Sequence, residues 1–552
     1  MARNMCHFFR SALATGGLLL LAAATACSRR ADESRSSVAD PPRPRRGGTL
    51  VIGASYDIRG VNQLLGTHST FSEAILDQMF LHLLEEQPDY AEHPPTLAPQ
   101  LAERYQWSED LKTLTLYLRP DVLWSDGVPV TAEDVRWTWQ AQTHPDVAWG
   151  HADMKRAITE VEVVNPGTVR VHFEEASSSQ LTDLNEGAIL PKHAWSQLPF
   201  DEWHESADWF LQNLVVDGPF MLESWRSQEQ ITLRRNERYF KEGLPYLDQV
   251  VIRIIPQKSN QILQLLSGEL DYVDHIPALE AARVERAEDL KIIDFWHRQY
   301  DFICWNLGNP LFADVEVRRA LTMAIDRQSI IDALWFGYAK MSTSPIISSV
   351  WAHNQELEPW PYDPQEARRI LAEKGWRDSD ADGILDRAGR KFSFELSTNA
   401  DSSERVDTAV MIQQQLRNIG IEARVRQMEF NTLIDKNLAH EFDATIGAWG
   451  IDTSLDLTYA FHSDSIDNGY NFGQYSNPEV DRLIDRARTV SDPQRLGSIV
   501  KKIQYLLHRD QPYTFLWERR RLIGARARLQ NAQPNPLRSF FHLEEWWLLP
   551  AE

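Results

Sequence analysis

A mixed α/β chain folded into more than one body is what this sequence predicts, on three observations. Its 552 residues exceed what a single hydrophobic core encloses. Hydrophobic residues make up 43% and charged residues 25%, the balance of a soluble globular protein. Strand-like and helix-like stretches intermingle without a regular βαβ rhythm, so mixed α+β lobes are expected.

The folded body is expected to start at GGTLVIGASYD, with a short apolar strand from Thr49 to Ile52. Phe71, Ile75, Leu76, Met79, Phe80 and Leu83 recur at helical spacing and predict one helix over 69–85. Leu111, Leu114, Leu116 and Leu118 mark a strand, Asp126-Gly127 a turn, and Thr131 with Asp134 a helix-capping box. Further strands are expected in TVRVHF and YLDQVVIRIIP. A second body opens with the strand QYDFICWNL. After it, Val317, Ala320, Leu321, Ala324, Ile325, Ile331 and Leu334 predict one long helix over 315–335. Asp363 as N-cap, Pro364 in the first turn, Glu366 and a terminating Gly375 bound a compact helix. VDTAVMIQQQLRNIGIEARVRQ reads as a helix that leads through Gly420 into a strand.

The net charge of −22 repels a polyanion, which argues against a nucleic-acid partner. At the N-terminus, Arg3 and Arg10 precede a short apolar run, Ala12 to Ala26, which suits a secretory signal. The run ends in Ala24-Thr25-Ala26-Cys27, which resembles a bacterial lipobox with Cys27 as the lipidated residue; an ordinary signal cleaved nearby is the alternative. The polar, proline-rich residues 27–47 read as a tether. With Cys6 removed and Cys27 lipidated, Cys304 stands alone, so neither a disulfide nor a cysteine metal cluster is expected.

No nucleophile elbow, zinc-protease helix, phosphate loop or dinucleotide turn is present in the sequence. The 16 histidines are scattered without metal-ligand spacing, and no cofactor is expected. Four segments, in order, resemble another kind of protein. They are PTLAPQLAERYQWSEDLKTLTLYLRPDVLWSDGVPVTAEDV, DGPFMLESWRSQEQITLRRNERYFKEGLPYLDQVVIRIIP, QLLSGELD and WNLGNPLFADVEVRRALTMAIDRQSII. Together they resemble the family 5 extracellular solute-binding proteins, the peptide-binding components of ABC importers.

The resemblance implies a type II periplasmic-binding-protein fold with two lobes and a subdomain inserted in the first. Its expected division is a signal peptide (1–26), a tether (27–47) and lobe I (48–86, 213–298 and 514–552). The insert is expected at 87–212 and lobe II at 299–513. Ligand enclosed between closing lobes would be passed to a membrane permease by a monomeric, lipid-anchored, periplasmic or cell-surface protein. An oligosaccharide ligand on the same fold, an exported hydrolase using a carboxylate pair, and a sensor lipoprotein are the alternatives.

The family's partner for a peptide amine is an aspartate three residues after a tryptophan, which falls here on Asp452 after Trp449. Helix capping over TSLDLTYAF is the alternative role for Asp452. Thr67, Ser69 and Phe71 match a first-lobe loop that offers groups to the ligand, with helix capping by Ser69 or Thr70 as the alternative. Arg405 lies near a family arginine that meets the ligand carboxylate, against a reading as solvated surface arginine. Asn471 and Tyr475 resemble an element flanking the cleft, with a structural role as the alternative.

One further stretch, DSDADGILDRAG, fits a calcium loop through Asp378, Asp380, Asp382 and Gly383. Gly389 stands where a bidentate glutamate is needed, and a strand follows where a helix is needed, so a surface turn is expected.

Overall fold

The computed structural model describes residues 43–66, 70–451 and 453–550. The expected signal peptide and tether, with Cys27, lie outside the described residues, as do Thr67, Ser69 and Asp452. The described body from Pro44 onward is one compact unit.

An eleven-stranded mixed sheet runs through that unit. At its centre two long antiparallel strands, Leu290–Trp305 and Tyr513–Arg526, pair along most of their length. On one side follow Ala444–Gly450, Ser393–Asn399 and Glu422–Met428. On the other follow Tyr272–Val273, Thr49–Ala54, Gln249–Ile254, Gln230–Arg235 and Phe220–Arg226. A separate antiparallel sheet of four strands, from Ala102–Trp107 to Thr168–Phe173, lies within the expected insert.

The apolar side chains gather in distinct cores. The first joins Leu50, Ile52, Val250 and Ile523 to Leu114, Leu116 and Val169 of the four-stranded sheet. The second holds Trp305, Leu321, Phe394, Ile412, Leu516 and Trp517, and the third Tyr300, Phe302, Phe461, Leu507 and Phe515. Strand alternation explains the last two. Tyr300, Phe302 and Cys304 face one side of the sheet while Ile303 and Trp305 face the other.

The two long strands cross between cores around an irregularity. Trp296 pairs with Arg520, and Tyr300 with Glu518, so His297, Arg298 and Gln299 bulge from the ladder. On the partner strand, side chains change core between Trp517 and Leu522. Phe515, Leu516 and Trp517 pack in the second and third cores.

Two helix expectations are corrected. The helix over 69–85 stops at Leu76. Beyond it, tertiary hydrogen bonds capture the backbone: Gly218 N and Phe220 N donate to Met79 O and Gln78 O, and Leu81 N donates to Asp217 Oδ1. A Cβ on Gly218 would lie 2.6 Å from Gln78 O and Met79 C, so this approach requires glycine. Gly218→Ala should lower stability by about 1–3 kcal/mol, the range for overpacking, read as a shift in the thermal midpoint. The expected helix over 315–335 is two helices, Val315–Met323 and Arg327–Trp335. Asp326 breaks it by capping the second, accepting from Ser329 N at 3.0 Å. The helix Pro364–Glu373 with its Asp363 cap and the Thr131/Asp134 capping box form as expected.

Candidate ligand-binding cleft

The most recognisable sequence segments build the frame. Arg318 is 4% exposed and donates to the carbonyls of Phe312, Ala313, Asp510 and Gln511. Arg327, equally buried, donates to Phe515 O at 2.8 Å. Asp271, closing QLLSGELD, accepts from Val51 N and from Arg528. Each buried ion is matched by several partners, which is what burial of charge demands. Asp134 is likewise occupied, by Thr131 and by Lys192 N.

Trp449 ends the strand Ala444–Gly450 and sits opposite Tyr300, on the face of the third core. Its ring centroid lies 5.6 Å from Phe472 and 6.1 Å from Phe302 in stacked orientation, with the edges of Tyr459 and Tyr470 at 5.3 and 5.7 Å. The indole Nε1 donates to Tyr513 Oη at 3.4 Å, and Tyr513 stacks on Phe302 at 4.3 Å. Trp449 is thus a wall fixed by its neighbours.

The residues after this wall contact segments distant in sequence. Ile451 N donates to Arg298 O at 2.9 Å, and Thr453 Oγ1 hydrogen-bonds the Glu86 carboxylate. Tyr90 packs into the third core, and its carbonyl accepts from Trp351 N at 2.9 Å. Burial pushes the Tyr90 phenol up to about 12, against the opposing pull of Arg298. Tyr90 thus shares a core with Tyr300, Phe302 and Phe515.

Asp456 Oδ1 accepts from Thr458 N at 2.8 Å at the start of the short helix Thr458–Phe461. Phe71 packs edge-on against Phe540 at 5.4 Å, anchoring the end of the first-lobe loop. Gln63 holds that loop's start by exchanging hydrogen bonds with the backbone of Ala188.

Arg405 is not a solvated surface arginine. It is half-buried and donates to Asn399 Oδ1 at 2.8 Å, with Nε 3.9 Å from Asp301. Asp301 also takes Arg519 Nε at 2.7 Å. Sequence reasoning passed over Asp301 and Arg519; an aspartate inside the apolar strand QYDFICWNL was the available signal. Asn471 departs from its expected ligand role. Its Nδ2 donates to His462 O and Tyr475 O and its Oδ1 accepts from Tyr475 N, which commits the amide to the loop itself. Tyr475 Oη donates to Asp510 at 2.8 Å, also a framing contact.

Asp378, Asp380 and Asp382 are exposed and bring one oxygen each within 4.8 Å of the others. Lys391 Nζ contacts Asp382 and lies 3.4 Å from Asp380, while Gly383 N donates to Asp378 and Ile384 N to Asp382. Lys391 and two backbone amides already contact the cluster, and the hairpin Asp386–Arg387/Arg390–Lys391 follows it.

A model of bacterial extracellular solute-binding proteins, family 5, matches residues 96–471. The chain belongs to this family. That makes it an exported solute-binding protein rather than an enzyme, and sets the hydrolase alternative aside. The oligopeptide-binding protein AppA of Bacillus subtilis is 30% identical over 531 residues, spanning 95% of this solute-binding protein and 96% of AppA. The structure of AppA in complex with a nonapeptide superposes with a TM-score of 0.77, over 92% of this chain and all of AppA. The glutathione-binding protein GsiB of Salmonella typhi is 26% identical over 422 residues, 75% of this chain and 79% of GsiB. The heme-binding protein A of Haemophilus influenzae is 24% identical over 523 residues, 90% and 92% of the two chains. The mixed α/β, two-lobe binding-protein fold expected from the sequence is the fold observed.

Proposed function

We propose that this protein captures oligopeptides between its lobes and delivers them to an ABC importer permease, held at the membrane by lipid on Cys27. The observation that carries the peptide reading is the likeness, at 30% identity over almost the full length, to a protein seen with a nonapeptide. The segment from Gly450 to Leu457 supports it, since it runs from the Trp449 wall to the Glu86 contact on the opposite lobe. Asp452 lies on this segment and pairs with the peptide amine; Thr67, Ser69 and Phe71 offer groups from the facing loop, and Arg405 stands near the cleft. The lobes pivot about the crossing of Leu290–Trp305 with Tyr513–Arg526, and the permease reads closure.

The oligosaccharide reading gains nothing from Trp449, whose indole is packed among Phe302, Phe472, Tyr459 and Tyr470. Native mass spectrometry of protein purified from its host should show co-purifying peptides; a bound oligosaccharide would overturn the ligand assignment. Asp452→Ala should weaken a nonapeptide at least about tenfold in isothermal titration, since truncating one partner of a buried charge pair costs about 2 kcal/mol or more. Unchanged affinity would remove Asp452 from the site.

A further inference from the structure

Beside the strand crossing, several polar side chains are enclosed without partners. His275 follows the short strand Tyr272–Val273, while His297 and Arg298 occupy the bulge. His275 Nδ1, His297 Nδ1 and Arg298 Nε are buried and make no hydrogen bond. Lys258, first residue of the helix Lys258–Ser267, is half-buried and has no hydrogen bond or ion pair among the described residues.

These groups share one electrostatic neighbourhood. His275 faces Arg521, Lys258, Arg519 and His297; His297 faces Arg521, Arg519 and Arg298; Lys258 faces Arg521, Asp274 and Glu404. Arg521 is paired with Asp274, and Arg519 with Asp301, which Arg405 also approaches. Among the described residues, Lys258, Arg298, Arg405, Arg519 and Arg521 stand against Asp274, Asp301, Asp401 and Glu404. The excess is positive in a chain whose net charge is −22.

We propose that this cluster is a subsite for a carboxylate, with the rings of His275 and His297 and the Arg298 guanidinium donating hydrogen bonds and Lys258 supplying the opposing charge. Three buried nitrogens without partners are what an entering anion would satisfy, each imidazole carrying its proton on Nδ1. The proposal deepens the peptide reading and rests on it for its source: the carboxylate is an acidic side chain or the C-terminus of the peptide.

Burial and the nearby Arg521 push Lys258 down to about 8, from an ordinary 10.5. A bound carboxylate raises it, so above pH 8 binding takes up a proton and affinity for the anion falls as pH rises. Below pH 8 the lysine is already charged and the dependence flattens.

The anion arm of the test needs no peptide. In protein carrying 15N-histidine, assigned with His275→Gln and His297→Gln, glutarate should shift both ring resonances, and Lys258→Gln should weaken that response. Rings that ignore glutarate overturn the subsite, whatever peptides do. The peptide arm titrates a nonapeptide as free acid and as amide, each with glutamate or glutamine at one interior position. A preference of about tenfold for one carboxylate source is expected at pH 7, shrinking by pH 9.5 in wild type but not in Lys258→Gln. Free-acid preference assigns the C-terminus and glutamate preference a side chain. Equal binding of all four peptides overturns the subsite while leaving the peptide reading intact. Failure of all four, with the histidine shifts present, overturns the peptide reading instead.

Discussion

Lys155→Met should lower stability by about 3 kcal/mol or more, the range for removing the partner of several buried polar groups. Lys155 is 1% exposed, and its Nζ donates to the carbonyls of Asp183, Leu184 and Glu186 at 2.5, 2.9 and 2.8 Å. These carbonyls end the helix Gln180–Asn185, where Gly187 turns the chain in the left-handed conformation and the ammonium takes the carbonyls left without amide partners. Methionine fills the apolar stem as far as Cε and leaves the acceptors unpaired. The check is a fall in the thermal midpoint together with faster hydrogen exchange over 183–190. Because Gln63 and Ala188 tie the next turn to the first-lobe loop, peptide affinity should weaken as well. A variant with unchanged midpoint and exchange would show that water replaces the ammonium without loss.

Asp301→Ala should cost about 3 kcal/mol, because it strands two half-buried cations without their buried counter-charge. Asp301 is 3% exposed and receives Arg519 at 2.7 Å and Arg405 at 3.9 Å. Arg519 also lies over the ring of Trp335 at 4.8 Å, so its position is fixed from both sides. The carboxylate stands immediately after the bulge, where the ladder between the long strands resumes. Thermal unfolding of Asp301→Ala beside Asp301→Asn separates charge from shape: asparagine should recover only part of the loss. Equal stability of all three proteins would show that the arginines reach solvent when the acid is gone.

The frame was legible in the sequence because it rests on local rules. The Asp363 cap, the Thr131/Asp134 box and the alternation through Phe302 and Cys304 follow from a few neighbouring residues. The helix over 69–85 was misread because its apolar spacing is real, yet its backbone is claimed by residues 217–220, far along the chain. Residues around the cleft were less legible for the same reason. Asp301, Arg405 and Arg519 meet from three separate segments, and spacing within any one of them does not reveal the meeting. Asn471 shows the reverse error, since a residue beside the cleft spends its amide on its own loop.

Cys304 packs in the third core, and burial pushes its thiol well above the ordinary range, where little reactive thiolate forms at neutral pH. A form of the protein beginning at Pro44 carries no other cysteine. Any cysteine introduced at an exposed cleft edge would therefore be the one site that takes a maleimide dye. One such dye per lobe turns closure into an optical signal, and the molecule into a reporter of its own ligand.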